Sequence, residues 1–144
     1  MLEQLDLSLK LKKSEAREEI SELRKQLRET QQAVRAARVP VVVLLEGWEA
    51  AGKGDTIGHF VHPLDPRGFR VRSTESPNEE AQARPFFWRF WKDLPSRGDF
   101  IFFDRSWYRP LLEDRVEDDP GEDRVKAIAG QIREHGRASC RERV

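Results

Sequence analysis

The segment "VVVLLEGWEAAGKGDTI", Val41 to Ile57, constrains the fold of this chain more than any other. Val41 to Leu45 is a short continuous run of β-branched and aliphatic residues, which reads as a strand buried on both faces, as in parallel sheets. A glycine-rich turn follows, and then a helix expected from about Gly52 to Val61. Strand, turn and helix N-terminus together aim backbone N–H groups at an anion. The candidate phosphate-binding residues are therefore Gly47, Gly52, Lys53, Gly54, Asp55 and Thr56, with the Lys53 ammonium set against phosphate oxygens. Gly54 stands where such loops usually place a Ser or Thr that binds Mg²⁺. Glu49 in the loop and Asp104 at the end of "FIFFD" are the candidate metal ligands in its place.

The remaining pattern fits an α/β domain. Ala16, Ile20, Leu23, Leu27 and Val34 share one face of a helix expected from Ser14, as N-cap, to about Arg38, and Pro40 stops it. "LDPRGF" is a turn, "FRVRS" (Phe69 to Ser73) a second strand and "FIFFD" (Phe100 to Asp104) a third. Asn78 to about Leu94 reads as one helix with Phe87, Phe90 or Trp91, and Leu94 on one face. "EDDPGEDR" is an acidic loop, and Val125 to about His135 a short helix. The order β-loop-α-β-α-β implies a parallel sheet with flanking helices, preceded by the long N-terminal helix. Residues 1–40 form the helical leader and 41–144 part of a phosphate-loop domain. Three strands are few for a sheet covered on both faces, so the chain reads as cut off partway through a larger domain.

Composition narrows the partners. Lys plus Arg and Asp plus Glu both total 26, a formal net charge of zero. General attraction to nucleic acid is not implied, and any anion site must be a local basic cluster. The single cysteine, Cys140, excludes an intramolecular disulfide, and no apolar run is long enough for a membrane span or a signal peptide. A cytoplasmic protein is expected. His59, His62 and His135 lack metal-ligand spacing. Arg105, after Asp104, is placed to reach a second phosphate, while Trp107 and Tyr108 suit either base stacking or the core. Arg84, Arg89 and Lys92, interleaved with aromatic residues, are candidates to line a groove for an extended polyanion.

Taken together, "EGWEAAGKGDTI", "LDPRGF", "RPFFWRFWKDLPSRG" and "FFDRSWYRPLLEDRV" resemble the polyphosphate kinase 2 family, particularly its polyphosphate:AMP phosphotransferase branch. The resemblance implies a P-loop kinase fold and Mg²⁺-dependent phosphoryl transfer between inorganic polyphosphate and a nucleoside mono- or diphosphate such as AMP or ADP. The family loop usually reads Gly-x-Asp-x-Ala-Gly-Lys-Gly-Gly, so Gly54 is normal for it. Its loop and strand-end aspartates map onto Glu49 and Asp104, its lysine onto Lys53 and its strand-end arginine onto Arg105. Three departures stand out: Glu49 replaces aspartate, Asp55 replaces a small neutral residue, and Pro110 sits where an arginine is usual, with Arg109 one position early. The family's C-terminal half, with its basic lid, is absent.

On this reading the catalytic candidates are Lys53, Glu49, Asp104, Arg105 and Arg109, in a homo-oligomer that binds neither nucleic acid nor membrane. Two other readings are an ATP-dependent nucleoside monophosphate kinase of the thymidylate kinase type, which also places an Asp-Arg pair after its third strand, and a non-catalytic polyanion-binding or oligomerising half-domain.

Overall fold

The computed structural model describes residues 12–112, 116 and 121–141, with no side-chain description for 137–141. Its elements are α1 (Lys13–Ala37), β1 (Val41–Leu45), α2 (Lys53–Val61), β2 (Phe69–Ser73), α3 (Glu79–Gln82), α4 (Trp88–Trp91), β3 (Phe100–Asp104), α5 (Arg109–Leu112) and α6 (Glu122–Arg141). The strands form a parallel sheet in the order β1-β3-β2. β3 is central, and its apolar run is buried from Phe100 to Phe103.

Strand alternation sends successive residues of β3 into two cores. Ile101 and Phe103 join Phe87, Phe90, Trp107 and Ile132 on one face. Phe100 and Phe102 join Leu64 on the other, where Leu27 and Val34 of α1 and Val61 at the end of α2 pack. Burying each such phenylalanine contributes about 1.5–3 kcal/mol. All three strands have the bounds expected from their apolar runs. β1, however, lies at one edge of the described sheet, so it is only partly buried and Val42 is exposed.

The helices depart further from expectation. The N-cap of α1 is Lys12 rather than Ser14, and no side chain caps that end. The single helix expected from Asn78 to Leu94 is two short ones. Asn78 does cap the first, its side chain accepting from the Ala81 N–H. Pro85 then interrupts the ladder, because it lacks an N–H and restricts the residue before it. The aromatic spacing continues beyond the proline only as the single turn of α4. At the C-terminal end α6 extends past both expected bounds, to Glu122 and Arg141, while residues 117–120 of the acidic loop lie outside the described residues.

The α1 helix is locked to the turn before β2. The buried Gln31 side chain donates to the Asp65 carbonyl at 3.1 Å and accepts from the Asp65 N–H at 2.8 Å. A Cβ at position 68 would lie 2.8 Å from Gln31 Nε2, so a larger residue there requires the Gln31 amide to shift. The turn itself is held by Asp65, which accepts from Arg67 N and pairs with its guanidinium at 2.7 Å. These contacts hold the Asp65 carboxyl well below the usual carboxylate range, through the side-chain hydrogen bond first.

Candidate phosphate site

The loop from Glu46 to Gly52 leaves the end of β1 and enters α2. Gly52 has φ +76°, the left-handed region that glycine occupies without strain. Lys53, the first residue of α2, is buried, and its ammonium donates to the carbonyls of Gly47 at 2.5 Å and Trp48 at 2.7 Å. The loop thus closes around the lysine. The amides of Lys53, Gly54 and Asp55 have no backbone acceptor among the described residues, as the first turn of a helix requires. Thr56 differs: both its N–H and its hydroxyl donate to the Gly52 carbonyl, each at 3.0 Å, so its donors are turned back into the helix.

Parallel register sets Asp104 beside this loop. Leu45 pairs with Asp104, and the Arg105 N–H donates to the Leu45 carbonyl at 2.9 Å. On the other side the Asp104 carbonyl accepts from the N–H of buried Thr74 at 2.9 Å. Asp104 Oδ1 is buried and has no hydrogen-bond partner among the described residues. An acceptor in that state is costly unless a donor or cation reaches it. Glu49 is exposed on the turn of the loop. Among the described residues no group of three or more His, Cys, Asp or Glu side chains is placed to hold a metal, so a cation here would draw its other ligands from substrate oxygens and water, as Mg²⁺ commonly does.

After Asp104 the chain turns through Arg105, whose φ of +62° is rare for a residue with a Cβ. The turn brings Ser106 back toward β1, where its hydroxyl donates to Glu46 Oε1 and accepts from the Tyr108 N–H at 3.2 Å. Neither Glu46 nor Ser106 was marked by the sequence reading, although an acid between a buried strand and a glycine is a usable signal. Trp107 is buried among Phe87, Phe90 and Phe103, so of its two roles the core is the one observed; Tyr108 is exposed. Arg109 opens α5.

The basic residues of the α3–α4 segment separate. Arg89 and Lys92 line a cleft of about 460 Å³, together with Arg72, Thr74, Asn78 and Trp88. Arg89 also donates to the Glu75 carbonyl. Arg84 is not part of that lining; its guanidinium lies 5.3 Å from the Trp88 ring centre, with Lys92 Nζ 4.5 Å from the same centre. Trp88 therefore carries two cations, an arrangement that holds charge beside the cleft.

A central parallel strand ending on a carboxylate, next to a strand–glycine loop–lysine–helix unit, defines an α/β architecture of the P-loop kinase type. The family model of polyphosphate kinase 2 (PPK2) matches residues 10–142, and the chain belongs to that family. It is 38% identical over 117 residues to a polyphosphate:AMP phosphotransferase of Pseudomonas syringae pv. tomato, covering 81% of this chain and 24% of that protein. It is 38% identical over 107 residues to a GDP-polyphosphate phosphotransferase of Pseudomonas aeruginosa, covering 74% of this chain and 30% of the relative. Among solved structures, a polyphosphate kinase 2 from Pseudomonas aeruginosa PA01 superposes with a TM-score of 0.85 at 33% identity, over 99% of this chain and 31% of that one. The chain thus spans about a quarter to a third of the length of these proteins. Among the described residues no helix is long and apolar enough to cross a membrane.

Proposed function

We propose that the protein built on this chain transfers a phosphoryl group between inorganic polyphosphate and a nucleoside mono- or diphosphate, and that this segment supplies the phosphate loop and the strand-end acid. The observation that carries the reading is the pairing of buried Lys53, held on the Gly47 and Trp48 carbonyls, with the unpartnered Asp104 oxygen at the neighbouring strand end. The names of the relatives, which act on polyphosphate with AMP or GDP, support the substrate classes.

In this reading an entering phosphate takes the amides of Lys53, Gly54 and Asp55, and the Lys53 ammonium exchanges carbonyl oxygens for phosphate oxygens. Asp104, helped by Glu49, would hold Mg²⁺, which when bound supplies positive charge to the phosphate oxygens. Arg105 and Arg109 neutralise further charge, and Arg89 and Lys92 keep an anionic chain against the cleft. Phosphoryl transfer depends mainly on positioning and electrostatics, which these groups provide.

A donor competition tests the proposal. With AMP as acceptor and Mg²⁺ present, ADP formation is followed by phosphorus NMR with long-chain polyphosphate or ATP as donor. Preference for polyphosphate is the expected result. Preference for ATP would replace the proposal with a nucleoside monophosphate kinase, and polyphosphate binding without transfer by the whole protein would leave a polyanion-binding module.

A further inference from the structure

Helix α1 divides lengthwise into three sectors. At about 100° per residue, the apolar line from Ala16 to Val34 forms the first, and Leu27 and Val34 in it pack on the core around Phe102. Glu15, Glu18, Glu19, Glu22 and Glu29 occupy the second. The third holds Arg17, Arg24, Arg28 and Arg35 within an arc of about 40° and over a length of about 27 Å. Ser14, Ser21 and Gln32 flank the line on one side, and the sector contains no acid.

These arginines are not neutralised in the way an ordinary solvated helix face is, by acids three or four residues away. Arg17, Arg24 and Arg28 have no carboxylate within ion-pair distance among the described residues. Arg24 is half-buried, and its Nε is buried without a hydrogen-bond partner there. The C-terminal part of the line opens into a groove of about 280 Å³ between α1 and the 63–65 segment, lined by Arg28, Gln31, Gln32, Arg35 and Asp65. Asp65 is the one acid in it, and its carboxylate is already engaged by Arg67 at 2.7 Å, with Arg35 at 3.9 Å. The groove and the line above it therefore carry uncompensated positive charge in a chain whose net charge is zero.

We propose that this arginine line is a docking track for a long inorganic polyphosphate chain, separate from the loop at Lys53. The choice of ligand rests on the function proposed above. The track fits a linear chain with a charge at every unit. It offers no aromatic ring to stack on a base, which single-stranded nucleic acid sites use, since α1 contains no aromatic residue. Holding one part of a chain here raises the effective concentration of the rest at the loop.

The test is equilibrium binding of labelled long-chain polyphosphate at several salt concentrations. Arg17→Gln/Arg28→Gln should weaken binding about tenfold at low salt and reduce the salt slope by roughly 1–2. Arg17→Lys/Arg28→Lys should restore most of the affinity, which a folding defect would not allow. Glu18→Gln/Glu22→Gln, in the acidic sector, should not weaken it. Lys53→Ala should keep most of the long-chain affinity while losing tripolyphosphate. Wild-type affinity in the glutamine double variant, or abolition of long-chain binding by Lys53→Ala alone, would overturn the track and leave the phosphoryl-transfer reading intact. Oligodeoxythymidylate competing equally per charge would also overturn it. Failure of tripolyphosphate to bind at the loop would instead count against the phosphoryl-transfer reading alone.

Discussion

The hydroxyl of Ser106 donates a hydrogen bond to Glu46 Oε1, tying the turn after β3 to the start of the glycine loop. Ser106 is almost fully buried. The bond joins the segment that carries Lys53 to the one that carries Asp104. Ser106→Ala removes that donor from a part-buried carboxylate and is expected to cost about 1–3 kcal/mol. It should also weaken tripolyphosphate binding, because loop and acid lose a common support. Urea denaturation and a binding titration check both effects. Wild-type stability together with wild-type affinity would show that the two segments hold their positions independently.

The Gln31 clamp yields a prediction about stability alone. Gln31→Leu leaves the N–H and carbonyl of Asp65 without their side-chain partners and should destabilise by about 1–3 kcal/mol. Gly68→Ala brings a Cβ to 2.8 Å from Gln31 Nε2 and forces that amide out of its bonds. Because both changes break one clamp, their effects in the double variant should add to less than the sum. Full additivity, measured by denaturation, would mean that the two residues are not coupled.

His135 stacks on Phe87 at 4.4 Å and meets Trp107 edge-on at 5.5 Å. Burial pushes its pKa below the ordinary 6.5. Between 6.5 and that lower value the unfolded chain binds a proton that the folded chain does not, so stability falls as pH drops through 6.5 and levels off below the folded pKa. His135→Phe should flatten this dependence while keeping the ring packing. Denaturation of both proteins at pH 7.5 and 5.5 is the check, and an equal loss in both would assign the effect to other groups.

Asp104→Asn should weaken Mg²⁺-dependent tripolyphosphate binding about tenfold, and more than Glu49→Gln does. Asp104 is fixed by its strand and has a buried free oxygen, whereas Glu49 is exposed on a turn. Mg²⁺ titrations of the two variants decide the order. A larger loss for Glu49→Gln would make the loop glutamate the principal ligand.

The strands were legible because Val41–Leu45, Phe69–Ser73 and Phe100–Asp104 are uninterrupted by glycine or proline and bounded by residues that turn the chain. The strand–loop–helix geometry was legible because its signal is local, from Gly47 to Thr56. The α3–α4 segment was misread as one helix because the aromatic spacing runs through Pro85, and side-chain periodicity does not register a missing N–H. Glu46 and Ser106 were missed for a different reason. They are 60 positions apart and meet only because β3 inserts beside β1 and the chain reverses at Arg105. The inward fold of Lys53 onto two loop carbonyls depends on loop geometry that spacing alone does not contain.

The most direct test of the phosphate loop is a calorimetric titration of tripolyphosphate with Mg²⁺ into the wild-type chain and into Lys53→Ala. Lys53 is the one side chain that both shapes the loop and supplies its charge. The expected result is saturable binding by the wild type and a loss of at least about tenfold, or 1.4 kcal/mol, in the variant, with the helical content of the two proteins unchanged. Equal affinities would contradict the assignment of this loop as the phosphate site.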